Sequence, residues 1–180
     1  MKATGIVRRI DDLGRIVIPK EIRRTLRIRE GDALEIFTDA QGGVIFRKYS
    51  PVGELSSFAA QYAEVLNRTA GLSTIICDRD HVVAAAGVSR KEFLERRVTP
   101  ELEESVQTRR TYTAGSGETI LPIEGIDRQA ALICPILASS DVAGSIVVLQ
   151  PEGGKAEAPA QADAMLVQVA ASFLGKQMEE

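Results

Sequence analysis

The chain has 180 residues, of which 44% are apolar, and its 25 acidic against 22 basic side chains give a net charge of −3. This length allows one medium domain or two small ones, and this apolar content excludes global disorder. No apolar run approaches the roughly 18 residues of a membrane helix, and the N-terminus lacks the hydrophobic stretch of a signal peptide. We therefore expect a soluble, cytoplasmic protein that does not enter a membrane.

The charge is divided unevenly along the chain. Residues 1–50, called the head below, contain 11 Lys and Arg against 7 Asp and Glu. The head therefore carries a net charge of +4, and residues 51–180, called the body, carry −7. Such segregation indicates that only the head meets a polyanion.

The first part of the head predicts a β-hairpin followed by a short helix. Strands are expected at Gly5–Ile10 and Arg15–Ile18, joined by a turn over residues 11–14. Pro19 suits the first position of the helix that follows, because its missing N–H costs nothing there.

The second part of the head predicts another hairpin, with strands around residues 34–36 and 44–49 and a turn signal at Gly42-Gly43. A unit of about 50 residues buries little of its surface when alone. Residues 1–50 contain no cysteine for a disulfide and no metal-binding motif that would stabilise this unit. Two intertwined copies are therefore the expected form of the head.

Residues 51–71 predict a linker and a helix that ends at Gly71. A short heptad-like stripe runs along this helix. The stripe consists of Leu55, Phe58, Tyr62, Val65 and Thr69. It is compatible with a self-association helix or with a helix packed on its own sheet, and two heptads do not decide between them.

Residues 72–180 predict an α+β domain, an antiparallel sheet flanked by helices that the order of elements places on one side. Strands are expected in LSTIICD, HVVAAAG, ETILPIEG, AALICPILA and VAGSIVVLQ. Helices are expected in SRKEFLERR, PELEESVQTRR and about residues 162–178. Ser89 and Glu92 have the spacing of a capping box. Residues 86–94 and the ETILPIEG segment could border a ligand pocket, but no ligand-binding residue can be named.

The residue types argue against an enzyme. The single histidine, His81, has no partner that the sequence identifies, and there is no phosphate-binding glycine motif. Cys77 and Cys134 lie in apolar runs without a Cys-x-x-Cys spacing, which favours buried reduced thiols. We therefore expect no catalytic residue, no metal and no cofactor.

The arginines of the head are the candidate binding residues. Arg8, Arg15, Arg23 and Arg24 lie on two predicted strands and one helix that a dimer would place on one surface. Guanidinium groups suit phosphate oxygens and guanine edges. Aromatic residues do not alternate with them, so stacking on single strands is not indicated. The expected partner is double-stranded DNA.

The string TGIVRRIDDLGRIVIPKEIRRTLRIREGDALEIF resembles the DNA-binding domain of the AbrB transition-state regulators. The resemblance implies a swapped-hairpin β-barrel built from two chains. It also implies that the arginines matching Arg8, Arg15, Arg23 and Arg24 contact DNA. Lys2 and Arg9 are weaker candidates.

The body extends the resemblance to essentially the whole chain. ICDRDHVVAAAGVSRKEFLERRV, ICPILASSDVAGSIVVL and the terminal FLGKQMEE resemble sporulation regulators that join an AbrB-like head to a GAF-like domain. This implies a transcription regulator, an activator or repressor of forespore genes. The implied domains are 1–50 for DNA binding, 51–71 as linker and dimerisation helix, and 72–180 as a GAF-like regulatory or oligomerisation domain.

Self-association is the second expected partnership. If head and body pair about different two-fold axes, homodimers combine into a homotetramer. Two other functions stay open: a sensor of an unidentified small-molecule effector with DNA binding as its output, and an antitoxin-like autorepressor. The second is disfavoured because such chains end in a disordered acidic tail, whereas this body predicts a packed domain.

Overall fold

The computed structural model describes residues 4–115, 117, 119–154 and 157–179. The chain forms two compact units, Met1–Tyr49 and Ser50–Glu180, and head and body refer to these units from here on. The helices are α1 (Lys20–Thr25), α2 (Pro51–Glu54), α3 (Ser56–Ala70), α4 (Arg90–Phe93), α5 (Pro100–Gln107) and α6 (Gln161–Gln177). The strands are β1 (Leu34–Thr38), β2 (Val44–Lys48), β3 (Thr74–Cys77), β4 (Val82–Ala86), β5 (Tyr112–Thr113), β6 (Ala130–Ala138) and β7 (Asp141–Leu149).

The second hairpin of the head is confirmed. Strands β1 and β2 pair antiparallel, with Ile36 opposite Phe46. The Asp39 carboxylate organises their turn, because its Oδ1 accepts the N–H of Gln41 at 3.0 Å and that of Gly43 at 2.6 Å. Gly42 has φ +81°, a conformation that glycine adopts without steric cost.

Residues 4–18 contain a well-formed turn but no strand. The Asp11 N–H donates to the Arg15 carbonyl at 3.0 Å, and the Gly14 N–H donates to the Asp11 carbonyl at 3.0 Å. The strands predicted at Gly5–Ile10 and Arg15–Ile18 are therefore not formed within one chain. A strand needs a neighbouring strand to take up its backbone hydrogen bonds, and a lone hairpin is marginal in water.

Helix α1 begins one residue later than predicted, with Pro19 as its N-cap rather than its first residue. The helix ends in a reversal, in which the Ile28 N–H donates to the Arg23 carbonyl at 2.7 Å. Arg27 occupies the left-handed region there, with φ 52°. These closing bonds fix the backbone of the last helical turn, which carries Arg23 and Arg24.

The body is built on a five-stranded sheet in the order β4-β3-β7-β6-β5, in which all neighbours are antiparallel. One face packs against α3 and α6, through residues such as Ala63 and Leu174. The other face packs against α4 and α5, through residues such as Phe93 and Leu102. The prediction that the helices lie on one side of the sheet was therefore wrong. Because helices cover both faces, β6 and β7 are almost continuously apolar.

The strand predicted in ETILPIEG is also wrong. Residues 119–126 form a loop whose Ile120 and Ile123 are buried in the second core, with one bridge between Ile123 and Val98. The two-residue strand β5 takes the edge of the sheet instead. The apolar residues of this segment anchor a loop and do not pair as a strand.

The capping box predicted at Ser89 and Glu92 does not form. Ser89 is the N-cap of α4, but its side chain makes no capping hydrogen bond. The Glu92 N–H donates instead to the Ser89 carbonyl at 3.1 Å. This four-residue helix is held by the burial of Phe93.

Helix α3 packs on its own sheet, and the stripe predicted along it is not the face that packs. The buried positions are Ala59, Ala63 and Leu66, whereas Phe58 and Val65 of the stripe are exposed. Gly71 ends the helix in the left-handed region, as expected. The alanines bring α3 close to the sheet, which leaves larger apolar side chains outside.

The start of the body is tied to the turn between β3 and β4. The Ser50 hydroxyl accepts the Gly53 N–H at 3.0 Å, which caps α2, and donates to Asp78 Oδ2 at 2.8 Å. Asp78 Oδ1 accepts the N–H groups of Asp80 at 2.8 Å and His81 at 2.7 Å. One carboxylate therefore holds both the turn and the first residue of the body.

The two cysteines are buried free thiols, as expected. Burial raises the pKa of the Cys77 thiol, and burial also raises that of Cys134. A thiol with a raised pKa is a poor nucleophile at neutral pH. Across the part of the chain that the structure describes, no helix is long and apolar enough to cross a membrane.

Helix α6 crosses β6 at Gly175, where a Cβ atom would collide with the Leu137 carbonyl. Replacing glycine by alanine in an exposed helix stabilises by about 1 kcal/mol. For Gly175→Ala we expect the opposite sign, a loss of about 1–3 kcal/mol, because the backbones must separate. Urea unfolding of Gly175→Ala beside Gln168→Ala, an exposed position of the same helix, measures this. A gain in stability would contradict the close approach.

Candidate nucleic-acid interface

The candidate arginines fall into two groups in one chain. Arg8, Arg9 and Arg15 flank the turn at residues 11–14, and all three are exposed. Arg23 and Arg24 lie in the last turn of α1, where Arg23 is half-buried and Arg24 is exposed. Lys2 lies outside the described residues. Arg15 is bonded to the turn and Arg23 and Arg24 belong to α1, whereas Arg8 and Arg9 precede the turn in residues without helix or strand.

The turn beside the first group is organised by the Asp11 side chain. Its Oδ1 accepts the N–H of Leu13 at 3.1 Å and that of Arg15 at 2.7 Å. Its Oδ2 accepts a hydrogen bond from Arg15 Nε at 2.9 Å. The backbone and side-chain hydrogen bonds from Arg15 lower the pKa of Asp11, so the carboxylate stays ionised at neutral pH.

Arg15 stays accessible despite this ion pair, since its side chain is 69% exposed. Gly14 immediately precedes Arg15 and has φ +76°. It is the last residue of a three-residue loop, residues 12–14, of the type that places glycine in the left-handed region. The sequence signals the turn through Asp11 and Gly14. It gives no signal that the Asp11 carboxylate also reaches the guanidinium.

Other cations of the head are engaged within the second hairpin. The Arg47 guanidinium lies 4.9 Å from the centre of the Phe37 ring. Lys48 Nζ lies 3.6 Å from Asp32 Oδ2. The first contact joins β2 to β1 and the second joins β2 to Asp32, which precedes β1, so the structure does not add Arg47 or Lys48 to the candidates.

The head also exposes many large apolar side chains, which is unusual for a folded unit. They are Ile6, Val7, Ile10, Leu13, Ile16, Val17, Leu26, Ile36, Val44, Phe46 and Tyr49. Val7, for example, is 85% exposed. A unit with this surface has the character of half of a shared core.

The body contains a surface groove of about 450 Å³ beside the ETILPIEG segment. Thr99, Glu101, Leu121 and residues 123–127 contribute to its lining, and residues 86–94 do not. Thr99 is occupied structurally, because its hydroxyl caps α5 and donates to the Leu121 carbonyl at 2.7 Å. The groove therefore does not define the chemistry of a ligand.

Metal binding finds no support in the described ranges. They contain no cluster of three or more His, Cys, Asp or Glu side chains that could hold a metal ion. His81 forms a backbone bridge with Arg97, and its N–H and carbonyl are both bonded to Asp78. Through these backbone bonds, His81 stabilises the β3–β4 turn.

Two protein-family models match the chain. The model described as Stage V sporulation protein T C-terminal, transcription factor, matches residues 54–179. The model described as antidote-toxin recognition MazE, bacterial antitoxin, matches residues 7–53. Together they account for the body and for almost all of the described head.

Two characterised relatives and one solved structure agree with these matches. Stage V sporulation protein T of Bacillus subtilis strain 168 is 46% identical over 182 residues, covering 100% of both chains. Transition state regulatory protein AbrB of the same organism is 61% identical over 51 residues, covering 28% of this chain and 52% of AbrB. The GAF domain of an Acinetobacter phosphoenolpyruvate-protein phosphotransferase superposes with a TM-score of 0.55 at 12% identity, covering 73% of this chain and 83% of that domain.

The identity to AbrB confirms an AbrB-like DNA-binding head, and the superposition confirms the GAF fold of the body. The full-length match confirms the expected role in the regulation of sporulation genes. The chain belongs to the stage V sporulation protein T family of transcription factors.

Proposed function

We propose that the protein regulates forespore genes in the cytoplasm by binding double-stranded DNA as an oligomer. Arg8, Arg15, Arg23 and Arg24 of each head contact the duplex, and Lys2 and Arg9 add weaker contacts. The observation that carries this proposal is that Arg8, Arg15 and Arg24 are exposed, and Arg23 is half-buried, in a basic head whose apolar side chains also lie exposed. Arginine supplies both the charge for phosphate and the planar fork for guanine.

Two heads share one barrel in this proposal. The turn at residues 11–14 is formed in one chain, but the apolar side chains on both sides of it are exposed. A second copy supplies strands for the unpaired backbone and covers those side chains. DNA binding is thus assigned to residues 1–50, and it requires a dimer.

The bodies pair through a second surface, the α3–α6 apolar surface. It consists of Phe58, Tyr62, Val65, Met165, Leu166, Val169 and Phe173. The two helices are in contact there, with the rings of Tyr62 and Phe173 5.2 Å apart. Residues 51–71 thus contribute to pairing together with residues 72–180, and two different pairing surfaces produce a homotetramer.

A pairing role for the body is favoured over small-molecule sensing or catalysis. The sheet face opposite α3 and α6 is packed with apolar side chains, including Phe93, Leu102 and Ile123. The buried Cys77 thiol, with its raised pKa, is unsuited to nucleophilic attack. The packed body also favours a transcription regulator over an antitoxin, whose tail would be disordered.

DNA binding by arginine predicts a strong dependence on salt. If about four to eight phosphates are neutralised, log K falls against log salt with a slope of about −4 to −7. Arg23→Ala and Arg24→Ala should each weaken binding of a promoter duplex at least about tenfold while the fold persists. Arg110→Ala, at an exposed arginine of the body, is the matched control. Fluorescence anisotropy across a salt series measures both, and a slope near zero would refute the phosphate contacts.

Pairing of the bodies predicts that a charge on the α3–α6 apolar surface splits the tetramer. Val169 is 66% exposed in one chain, and Val169→Glu would bury a carboxylate in the proposed interface. We expect analytical ultracentrifugation to give about half the mass of the unmodified protein. Gln168→Glu adds the same charge one residue away, outside that surface, and should leave the mass unchanged. An unchanged mass for Val169→Glu would exclude this surface.

A further inference from the structure

We propose that Asp11 is a positioning residue for DNA recognition: it holds the Arg15 guanidinium in the orientation that contacts a base edge. This inference rests on the DNA contact proposed for Arg15 and adds to it a determinant of sequence specificity. Asp11 itself need not touch DNA.

The turn holds the Asp11 carboxylate in place independently of the Arg15 side chain. Two backbone N–H groups, those of Leu13 and Arg15, bind the same oxygen, Oδ1. The Asp11 backbone is also bonded on both sides of the turn, to Arg15 and to Gly14. With Oδ1 engaged in this way, the turn presents Oδ2 at a defined point. Aspartate commonly bonds to the backbone two residues ahead in this manner.

Arg15 uses one particular guanidinium nitrogen for the hydrogen bond to Asp11. Arg15 donates through Nε, at 2.9 Å to Asp11 Oδ2. A guanidinium has five N–H donors in a planar fork, and the terminal nitrogens are the ones that form a bidentate pair with guanine O6 and N7. A carboxylate on Nε therefore fixes the plane of the fork without occupying the recognition edge.

Stability does not explain this ion pair. Both side chains are substantially exposed, and exposed ion pairs contribute little to folding. A carboxylate beside a DNA-binding arginine also repels phosphate, which weakens binding to any sequence. The turn itself needs only an oxygen at this position, which Asn would also supply, so the negative charge of Asp11 favours DNA binding only if orienting Arg15 outweighs that repulsion.

The repulsion of phosphate and the orientation of Arg15 predict opposite changes in DNA affinity when the charge of Asp11 is removed. If Asp11 were only a surface charge, Asp11→Asn would tighten binding to every duplex. If Asp11 positions Arg15, the same change weakens the preferred duplex relative to others. Asn keeps an oxygen for the two backbone N–H groups, so the turn is preserved while the charged contact to Nε is lost.

The experiment uses the full-length protein and two duplexes, one selected by the protein from a random-sequence pool and a scrambled version of it. The specificity ratio of the two affinities is measured for Asp11→Asn and for the adjacent Asp12→Asn, which removes the same charge. We expect the ratio to fall about tenfold for Asp11→Asn, within the range for one bidentate base contact. For Asp12→Asn the ratio should stay unchanged.

A double-mutant cycle assigns the effect to Arg15. In an Arg15→Ala background, Asp11→Asn should change the ratio no further. Arg15→Lys, which keeps the charge but lacks the fork, should lower the ratio with an unchanged salt slope. If ultracentrifugation shows that Asp11→Asn dissociates the dimer, Arg15→Lys tests the contact between Asp11 and Arg15 from the arginine side.

Two results would overturn the proposal in distinguishable ways. An unchanged ratio for Asp11→Asn, together with a lower ratio for Arg15→Ala, would remove the role of Asp11 and leave the DNA contact of Arg15 standing. Unchanged binding of both duplexes by Arg15→Ala would remove the contact itself and the role of Asp11 with it.

Discussion

The constraint on which the rest of the structure depends is that one head cannot cover its own apolar side chains. About 50 residues provide too little interior, and the turn at residues 11–14 carries apolar side chains that remain in contact with water. In the proposed dimer, folding of the head and presentation of its arginines depend on a second chain. The proposal makes the DNA-binding surface a property of the assembly, so any change that weakens pairing would act on recognition as well.

The body meets a different constraint, the close approach of helices to a sheet. Small residues allow it: Ala59 and Ala63 on α3, and Gly175 where α6 crosses the Leu137 carbonyl. Gly144 allows a close approach of a different kind, between neighbouring strands, since a Cβ there would collide with the Cys77 carbonyl of β3. Because the inner faces are built from small residues, larger apolar residues such as Phe58 and Val169 are left on the outer faces. This distribution gives the body both a compact core and large apolar side chains on its surface.

Local signals in the sequence predicted much of this architecture. Gly42 and Gly71 marked a turn and a helix end because both adopt a positive φ, 81° and 68°. Segregated charge identified the head as the nucleic-acid-binding part. Non-local features escaped prediction. The apolar residues of ETILPIEG belong to a loop anchored by Ile120 and Ile123. Phe58 and Val65 of the stripe on α3 face outward because alanine packs well despite its weak hydrophobic signal.

The sequence names the candidate residues one by one but not their arrangement, and their contacts with DNA stay a prediction. The arginines follow from their chemistry and from the resemblance to AbrB. Their distribution between the two sides of the turn and α1, and the hydrogen bond that Arg15 Nε donates to Asp11, depend on geometry that spacing does not encode. An aspartate four residues before an arginine is common on surfaces, and only the two backbone bonds to Oδ1 distinguish this one.

The burial of Cys77 and Cys134 has a practical consequence for studying this protein in motion. Thiol-directed dyes and spin labels react with the thiolate, which both native cysteines disfavour because burial raises their pKa. A single cysteine introduced at an exposed position of the head, such as Thr38, would therefore be the reactive one in the folded chain. Distances between heads can then be followed by fluorescence transfer or electron paramagnetic resonance, with the native cysteines left in place.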